Sequence, residues 1–446
     1  MKNNASRTAI IGLGKTGISV AKYLKNNNLN FDVYDTRKNL FITNEITKYI
    51  NIENIFLGNF NKDIIKNYEN FIVSPGIKLK KEFINEILKK NKNIETDIDI
   101  YNKDNSCKTI CITGSNGKTT VTSMLEHVLV GLGKKAMAGG NIGLPALELL
   151  NENNEYNILE LSSFQLEMTK KINCIAATIT NITPDHLDRH GTFENYIKIK
   201  HKIFNDTKNI IINREDENIL KDNFNYRFTF GGNKPKNNNE FGISKKKGKR
   251  YIFHGNKKLL SEDQIKLIGG HNLINICTCL CILYSLKFEV NDILDQIKSF
   301  LPIEHRMENF YNNGKVRWIN DSKATNIDST MSAINSLEEN IILILGGRTK
   351  EDNYNKLNKV ITNKVCKIII YGESRNTLEK IIKDKYKVSK VVNIKDAVFE
   401  AKQIAQKIMD NQNCITYVLL SPACSSYDMF ESYEERGLYF KKCVID

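Results

Sequence analysis

The sequence has no run of about 18 or more apolar residues, no C-x-x-C pair among its ten cysteines and no internal repeat. The absence of a long apolar run excludes a membrane-spanning helix, and the absence of a C-x-x-C pair argues against a zinc site of the common kind. The apolar stretch at residues 8–13 is interrupted by Gly12 and followed by Lys15, rather than by the small residues of a cleavage site. We therefore expect a soluble, unexported protein of the reducing cytoplasm, without a disulfide framework.

The size of the chain indicates several domains. It has 446 residues and a mass of 51.1 kDa, and 41% of its residues are hydrophobic and 26% charged. This composition provides enough apolar material for sizeable cores and excludes wholesale disorder. At about 150 residues per domain, the length predicts three domains and excludes a single small binding module.

The charge is strongly positive, with 65 Lys and Arg against 51 Asp and Glu and a formal net charge of +14. Such an excess is compatible with nucleic acid, an anionic membrane surface or small polyanionic substrates. The densest basic run, residues 245–250, lies between two strand-like segments and has no interleaved aromatic residues for base stacking. We interpret it as the solvated tip of a β-hairpin rather than as a nucleic-acid site.

Strand-like and helix-like segments alternate along the chain, which is typical of α/β domains built on parallel sheets. A polar linker at residues 102–106 and a break near Pro302 divide the pattern into three parts. We predict an N-terminal Rossmann-like domain at residues 1–102, a central P-loop ATPase-like domain at 103–302 and a C-terminal Rossmann-like domain at 303–446.

A glycine-rich loop at residues 12–17 follows the first predicted strand and opens a helix. Glycines in this position let backbone amides and a helix N-terminus approach a diphosphate. Asp35 ends the second strand about 20 residues further on, where an acidic residue commonly meets a ribose hydroxyl. The pattern fits a dinucleotide, but Lys15 within the loop and Arg37 behind it fit a UDP group equally well.

A second phosphate loop occupies residues 113–120, again between a strand and a helix. Lys118 is placed for the β- and γ-phosphates of ATP, and the hydroxyl of Thr119 for Mg²⁺. Residue 112 is Ile where the common P-loop pattern has its first Gly, so this is a shorter relative of that loop. Two phosphate loops in separate domains predict an enzyme that joins a nucleotide-bearing substrate to ATP chemistry.

Two further segments carry candidate metal ligands. Glu160 closes a strand, where a carboxylate could hold Mg²⁺ opposite Thr119, although a plain acid at a helix N-terminus is the alternative. His186 lies in a polar loop directly after another strand, where ligand-contacting loops gather in α/β sheets.

These motifs occur in the order found in a known family. Besides the loop at 113–120, they are the segments at residues 139–143, 160–167 and 181–190, His271-Asn272, His305-Arg306 and residues 320–326. Together they resemble the Mur ligases of peptidoglycan synthesis. Within that family, residues 12–17, 35–37 and 420–428 look like those of the members that add D-glutamate.

The resemblance implies an ATP-dependent amide ligase that adds D-glutamate to UDP-N-acetylmuramoyl-L-alanine through an acyl phosphate, with two Mg²⁺ ions and ATP as co-substrate. It implies a monomer with small-molecule substrates, with no nucleic acid and no membrane insertion. The catalytic set that it implies is Lys118, His186, Lys200 and Lys323. Lys200 matches a lysine that the family carries as a carbamate; Lys198 is its neighbouring competitor, and the helical phase relative to Tyr196 favours Lys200.

The resemblance also assigns the ligand sites. ATP would be bound by Gly114, Ser115, Asn116, Gly117, Lys118, Thr119, Thr120, Asn272, Asn275, Arg306 and Asp321. The UDP substrate would be bound by Gly14, Lys15, Thr16, Asp35, Thr36, Arg37, Ser74 and Asn141. D-Glutamate would be bound by Thr325, Lys350, Ser426, Tyr427 and Tyr433, and the metal ions by Thr119, Glu160, His186 and carbamylated Lys200.

Two departures from the family pattern concern D-glutamate. Tyr427 and Tyr433 stand where Leu and Phe are commoner, and the segment before Lys350 lacks the usual acidic residue. Other functions stay open at this stage. They are a nicotinamide-dependent oxidoreductase, a non-enzymatic nucleotide-binding regulator, and a related amide ligase such as folylpolyglutamate synthetase.

Overall fold

The computed structural model describes residues 7–58, 62–77, 81–337, 340–349, 353–382, 387–411 and 414–446. Over these residues the protein is an α/β structure with three sheets, as the alternating sequence pattern predicted. The chain forms two compact units. The first comprises residues 1–260 and 275–297, and the second comprises residues 261–274 and 298–446. Because these two units do not correspond to the three predicted domains, they do not test the predicted bounds, which stay predictions.

The N-terminal sheet belongs to the first unit and is parallel, with the order β3-β2-β1-β4-β5. Strand β1 pairs with β2 on one side and β4 on the other, so the strand order reverses there. In doubly wound sheets this reversal opens a crevice at the carboxyl ends of the strands. The elements are β1 (Thr8–Ile11), α1 (Lys15–Asn26), β2 (Phe31–Asp35), α2 (Asn44–Tyr49), β3 (Ile55–Leu57), β4 (Asn70–Val73), α3 (Lys81–Lys89), β5 (Asn93–Glu95) and α4 (Asp97–Asp104).

Helix α1 begins at Lys15, two residues earlier than the glycine pattern suggested. Gly14 is the N-cap in an extended conformation, so Lys15 and Thr16 already lie in the first helical turn. Their side chains therefore belong to a helix N-terminus rather than to a flexible loop.

The central sheet has nine strands in the order β14-β13-β12-β11-β10-β9-β6-β8-β7. Strands β6, β8 and β9 are buried on both faces, which explains the apolar residues at their centres. The strands are β6 (Lys108–Thr113), β7 (Ala136–Gly140), β8 (Tyr156–Glu160), β9 (Cys174–Ile179), β10 (Thr207–Asn213), β11 (Phe228–Phe230), β12 (Glu240–Lys246), β13 (Lys249–His254) and β14 (Lys257–Ser261).

The helices of this part of the chain follow from the same pattern. Helix α10 contains buried Cys277, Cys279 and Cys281, so its sulfur atoms are small core groups. The helices are α5 (Lys118–Gly131), α6 (Ser163–Met168), α7 (Leu187–His190), α8 (Phe193–His201), α9 (Glu217–Leu220), α10 (Gly270–Ser285) and α11 (Val290–Ser299).

The basic run predicted at a hairpin tip lies there. Strands β12 and β13 are antiparallel, with Lys246 paired to Lys249. Lys247 and Gly248 form the turn, with φ of 49° and 82°. Positive φ at both central residues is the geometry of a two-residue hairpin turn.

The second unit contains a six-stranded sheet in the order β15-β16-β20-β17-β18-β19. Its strands are parallel except for the antiparallel edge pair β15 and β16. The elements are β15 (Glu308–Asn313), β16 (Val316–Asn320), α12 (Ile327–Ser336), β17 (Ile341–Gly346), β18 (Val365–Tyr371), α13 (Arg375–Ile381), β19 (Val388–Lys390), α14 (Ile394–Asn411), β20 (Thr416–Leu420) and α15 (Tyr433–Ile445).

Short 3-10 helices complete the secondary structure, at Ile52–Asn54, Lys62–Lys66, Ala146–Asn151, Lys202–Phe204, Glu262–Gln264 and Tyr354–Lys359. Within the part of the chain that the structure describes, no helix is both long enough and apolar enough to cross a membrane.

Candidate active site

A cavity of about 350 Å³ opens at the carboxyl ends of β1, β2 and β4. Its lining contains seven of the eight residues predicted for the UDP substrate: Gly14, Lys15, Thr16, Asp35, Thr36, Arg37 and Ser74. Pro75, Gly76 and Ile77 form a further part of its wall. The structure thus brings residues from three separate strand ends to one cavity beside a helix N-terminus.

Asp35 organises the phosphate loop of this cavity. Its carboxylate accepts hydrogen bonds from the backbone N–H of Leu13 at 2.7 Å and from the guanidinium of Arg37 at 2.8 Å. Burial opposes its ionisation, but the hydrogen bonds from Arg37 and Leu13 outweigh that effect and lower the pKa of Asp35 to about 2. Arg37 also donates to the carbonyl of Leu13 at 2.9 Å. The pair therefore fixes the loop that would surround a diphosphate.

The second phosphate loop joins β6 to α5. Gly114 and Gly117 have φ of 149° and 86°, which side-chain-bearing residues rarely adopt. A Cβ on Gly114 would lie 1.9 Å from the Oγ1 atom of Thr180, so glycine is required there. Lys118 Nζ donates to the carbonyls of Gly114 and Ser115 at 2.8 and 3.0 Å. Thr119 and Thr120 are buried in the first turn of α5.

Glu160 connects this loop to the neighbouring strand. Its Oε2 atom accepts from the Thr119 hydroxyl at 2.8 Å, and its Oε1 atom accepts from Asn141 Nδ2 at 2.8 Å. Asn141 was predicted to bind the UDP substrate, and the structure places it against Glu160. Hydroxyl and carboxylate oxygens are the ligands that Mg²⁺ prefers, so Thr119 and Glu160 could hold this ion.

Lys200 reaches the same loop from α8. Its Nζ atom donates to the Gly114 carbonyl at 2.9 Å and to Thr113 Oγ1 at 3.3 Å. It lies 4.8 Å from the centre of the Tyr196 ring, and the Tyr196 hydroxyl is 3.1 Å from Ser115 Oγ. Burial, together with the nearby charge of Lys118, holds the pKa of Lys200 well below its ordinary value.

His186 lies at the N-cap of α7 with a φ of 54°. Its ring packs against Phe164 at a centroid distance of 4.8 Å, and its Nε2 atom is 3.6 Å from a carboxylate oxygen of Asp185. The left-handed backbone at this residue is uncommon outside glycine and marks a constrained loop.

Helix α10 supplies two predicted ATP residues. Asn275, in the first unit, packs against Gly117, where a Cβ would lie 2.5 Å from Asn275 Oδ1. Asn272, in the second unit, donates from Nδ2 to the Ile268 carbonyl at 2.7 Å. Both side chains are buried.

In the second unit, Asp321 and Lys323 follow β16. Asp321 accepts from Ser421 Oγ at 2.8 Å and from the Met307 N–H at 3.1 Å. Burial raises the pKa of Asp321 to about 7, against the effect of the Ser421 and Met307 hydrogen bonds. Lys323 Nζ lies 3.5 Å from the centre of the Tyr433 ring, which brings a predicted catalytic cation and a predicted D-glutamate residue together.

The remaining described residues predicted for this unit lie in loops, before β15, after β16 or after β20. Arg306 precedes β15, with its N–H bonded to the Ile303 carbonyl. Thr325 follows Lys323, and its N–H donates to the Lys323 carbonyl at 2.8 Å. Ser426 is buried, whereas the Tyr427 side chain is 63% exposed. Lys350 lies outside the described residues.

Two residues hold the P-loop although no such role was predicted for them: Thr180, and Asn181 at the start of the polar segment 181–190. Thr180 Oγ1 donates to the Asn116 carbonyl at 2.6 Å. Asn181 Oδ1 accepts from the Asn116 N–H and its Nδ2 donates to the Asn116 carbonyl, both at 2.9 Å. Their position directly after β9 could have indicated this role, because β9 pairs with β6, the strand that leads into the P-loop.

Comparison with known proteins agrees with this geometry. Residues 6–96 match the N-terminal domain of MurD-like Mur ligases, residues 112–283 the Mur ligase middle domain, and residues 305–424 the Mur ligase glutamate ligase domain. The chain is 37% identical over 440 residues to the UDP-N-acetylmuramoylalanine--D-glutamate ligase of Buchnera aphidicola subsp. Schizaphis graminum, covering 97% of this chain and 96% of the relative. The chain belongs to the Mur ligase family.

Other Mur ligases support the same assignment. The enzyme of the same name from Legionella pneumophila strain Paris is 34% identical over 451 residues, which is 99% of both chains. The crystal structure of the MurF ligase of Thermotoga maritima in complex with ADP aligns with a TM-score of 0.61 at 16% identity, covering 100% of this chain and 99% of that one. The structural likeness establishes the Mur ligase fold, and the sequence identity establishes the family.

The metal ligands expected of this Mur ligase are mostly oxygen donors. Within the described ranges, no group of three or more His, Cys, Asp or Glu side chains is arranged to hold a metal ion. Thr119 and Glu160 fit a hard cation, whereas the Lys200 amine fits one only after conversion to a carbamate. The donor chemistry therefore fits Mg²⁺ rather than a soft or imidazole-preferring metal.

Proposed function

We propose that this protein is an ATP-dependent ligase that joins D-glutamate to UDP-N-acetylmuramoyl-L-alanine. One observation carries the proposal: the similarity to D-glutamate ligases extends over 97% of a chain that builds both phosphate loops. The cavity of the N-terminal sheet is suited to a UDP group, and the loop at 113–120 to ATP. A nicotinamide-dependent oxidoreductase would use the first loop but leave Lys118, Glu160 and His186 without a role.

In the proposed reaction, the alanyl carboxylate takes the γ-phosphoryl group of ATP and becomes an acyl phosphate. The amine of D-glutamate then attacks the acyl carbon, and collapse of the tetrahedral intermediate forms the amide and releases phosphate. The protein contributes positioning and charge rather than covalent chemistry. Lys118 would exchange its hydrogen bonds to the Gly114 and Ser115 carbonyls for hydrogen bonds to the β- and γ-phosphates. A phosphate is a stronger acceptor for an ammonium group than a carbonyl.

Two Mg²⁺ ions complete the proposed site and would neutralise charge on the phosphoryl group when bound. Thr119 and Glu160 would hold the first, with Asn141 orienting the Glu160 carboxylate. His186 and carbamylated Lys200 would hold the second. The carbamate supplies an anionic oxygen in place of an ammonium, which would repel the ion.

Lys200 is suited to carbamate formation because this reaction requires the neutral amine. The two ammonium groups of Lys118 and Lys200 share the carbonyl of Gly114, and their repulsion adds to the effect of burial. Both effects favour the neutral amine of Lys200, which can react with CO₂.

The ligand roles predicted from the sequence complete the proposal. Asp35, Arg37 and the other cavity residues would bind the UDP group, and Asn272, Asn275, Arg306, Asp321 and Lys323 would bind or act on the nucleotide. D-Glutamate would meet Thr325, Lys350, Ser426, Tyr427 and Tyr433. We place the enzyme in the cytoplasm as a monomer that takes part in peptidoglycan precursor synthesis and acts on small molecules only.

The test is phosphate release from ATP in the presence of UDP-N-acetylmuramoyl-L-alanine and a panel of amino acids. We expect release with D-glutamate and little with L-glutamate, D-alanine or L-lysine. Release with another amino acid would indicate a Mur ligase of different specificity, the principal alternative. Activity with a folate substrate would favour a folylpolyglutamate synthetase, and NAD binding without ATP hydrolysis would favour an oxidoreductase.

A further inference from the structure

Arg189 links two parts of the first unit that the proposed reaction uses separately. It lies on α7, three residues after His186, and its side chain is 10% exposed. Its Nε and Nη2 atoms donate to the Glu167 carboxylate at 2.9 and 2.7 Å. Nη2 also contacts the carbonyls of Pro75 and Ile77, at 3.4 and 3.2 Å.

The two carbonyls belong to the wall of the UDP cavity. The segment from Ser74 to Ile77 lines that cavity and packs against Gly12, where a Cβ would lie 2.8 Å from Ile77 and 2.9 Å from Ser74. At one end, Ser74 Oγ donates to the Gly12 carbonyl at 3.1 Å. At the other end, Arg189 contacts the Pro75 and Ile77 carbonyls. The wall is therefore held from both sides.

Glu167, the ionic partner of Arg189, lies near the residues proposed for the phosphoryl-transfer site. It lies on α6, the helix that follows Glu160 at the end of β8. The Arg189 guanidinium also stacks on Phe164 of the same helix at 5.1 Å, and Phe164 contacts the His186 ring. Arg189 thus lies on the helix that His186 caps, contacts the helix that follows Glu160, and contacts the wall of the UDP cavity.

We propose that Arg189, held by Glu167, is a positioning residue that sets the wall of the UDP cavity relative to the phosphoryl-transfer site. The inference rests on the proposed function, since it assumes that the cavity takes UDP. A planar guanidinium with several donors can bridge one carboxylate and two carbonyls at once, which an ammonium cannot do with the same geometry. The enzyme needs such a link because the UDP end and the reacting carboxylate of one substrate must fit two separate subsites together.

The test uses UDP itself as the probe, measured by titration calorimetry on the full-length protein. Arg189→Met keeps an unbranched apolar stem over Phe164 but removes every donor. We expect it to weaken UDP binding about tenfold, because charge-assisted hydrogen bonds to the cavity wall are lost. Binding of a non-hydrolysable ATP analogue should stay unchanged, and Arg189→Lys should retain part of the UDP affinity.

Arg227→Met is the matched control, since Arg227 also stacks on a phenylalanine, Phe228 at 5.5 Å, in the same unit. It should leave both affinities unchanged. Where Arg189→Met fails to fold, Glu167→Gln provides a second test, because it removes the charge that holds the guanidinium and preserves the size of the side chain. It should weaken UDP binding in the same direction.

Three results would overturn the proposal. Wild-type UDP affinity in Arg189→Met and Glu167→Gln would show that the contacts position nothing. A parallel loss of UDP and ATP-analogue affinity would show a general structural role. Absence of UDP binding by the wild-type protein would overturn the UDP assignment of the cavity together with this inference, whereas UDP binding without D-glutamate-dependent phosphate release would contradict only the ligase function.

Discussion

At the scale of single residues, two lysines of α8 differ in their surroundings although they lie two positions apart. Lys200 is buried beside the P-loop, whereas Lys198 is exposed. The sequence left these two as competitors for the carbamate, and helical phase favoured Lys200. Carbamate formation needs a shielded amine of lowered pKa, and the surroundings of Lys200 provide one.

We expect Lys200→Ala to lose ligation almost completely, by about a hundredfold or more, because the anionic metal ligand is lost. Added short carboxylic acids such as acetate should restore part of the activity by occupying the vacated position. Lys198→Ala is the control and should remain active without them. The measurement is phosphate release at saturating substrates with and without acetate, and a rescuable Lys198→Ala would reverse the assignment.

Asp97 is a buried carboxyl group outside the proposed site. It is the first residue of α4, and one of its carboxyl oxygens, Oδ1, has no hydrogen-bond partner. Burial and the nearby Asp99 raise its pKa from 3.8 to about 7, although backbone N–H groups oppose the change. The folded protein therefore binds a proton here more tightly than the unfolded chain.

The sign of the pH effect follows from that difference. Between about pH 4 and pH 7 the unfolded chain releases the proton of Asp97 while the folded protein keeps it, so the free energy of unfolding falls as the pH rises. Asp97→Asn should remove this part of the fall and make the protein more stable at pH 7 than the wild type. The measurement is the urea midpoint across this range, with Asp63→Asn, whose side chain is 71% exposed, as control. An unchanged slope in Asp97→Asn would contradict the prediction.

At the scale of elements, the turn between β6 and α5 depends on glycine. The Gly114 carbonyl accepts from both Lys118 and Lys200, and Thr180 occupies the space of a Cβ on this residue. Gly133, after α5, also has a positive φ of 73°, but nothing lies within 4 Å of its Cβ position. A substitution at Gly133 therefore introduces only backbone strain, whereas a substitution at Gly114 also introduces a steric clash with Thr180.

We expect Gly114→Ala to lower turnover by about a hundredfold, because the displaced carbonyl misplaces both lysines. Gly133→Ala should cost about 1 kcal/mol of stability through backbone strain and leave turnover unchanged. Steady-state phosphate release and urea unfolding of both variants provide the test. Equal turnover in the two variants would mean that contact with Thr180 is unimportant.

The elements themselves were largely predictable from the sequence. Apolar runs such as that of β6 and the glycines at 12–17 and 114–117 identify strands, turns and helix starts through local rules. The position of Asn141 was not predictable, because its contact with Glu160 depends on the pairing of β7 with β8. The contact of Arg189 with Pro75 is likewise a tertiary contact between residues 114 positions apart, and no local pattern encodes it.

At the scale of the whole molecule, part of the positive charge behind the net value of +14 lies in the β12–β13 hairpin, outside the residues assigned to the proposed site. Five cations lie at the β12–β13 hairpin: Lys245, Lys246, Lys247, Lys249 and Arg250. The turn residues Lys247 and Gly248 are exposed, as expected for a solvated tip. Charges surrounded by water are screened over about 10 Å at ordinary salt concentration.

We expect replacement of these five residues by glutamine to leave the KM values for ATP and the UDP substrate within about twofold at 0.15 M salt, since screened charges act over short distances only. The same variant should elute earlier than the wild type from a cation-exchange column. A large rise in either KM would show that the hairpin attracts the substrates. Retarded migration of DNA by the wild type but not by the variant would contradict the interpretation of the run as a solvated tip.

The division of the chain into two units has a consequence for its synthesis. The first unit takes residues 275–297 after residues 261–274, which belong to the second. On the ribosome the first unit, with both phosphate loops, is therefore complete only when Ile297 has emerged. The segment from Ser261 to Ile274 has emerged by then, but the rest of the second unit begins at Lys298 and is still to be synthesised. Since domains fold as units during synthesis, this segment, which includes His271 and Asn272, is the last part of the early chain to find its native neighbours.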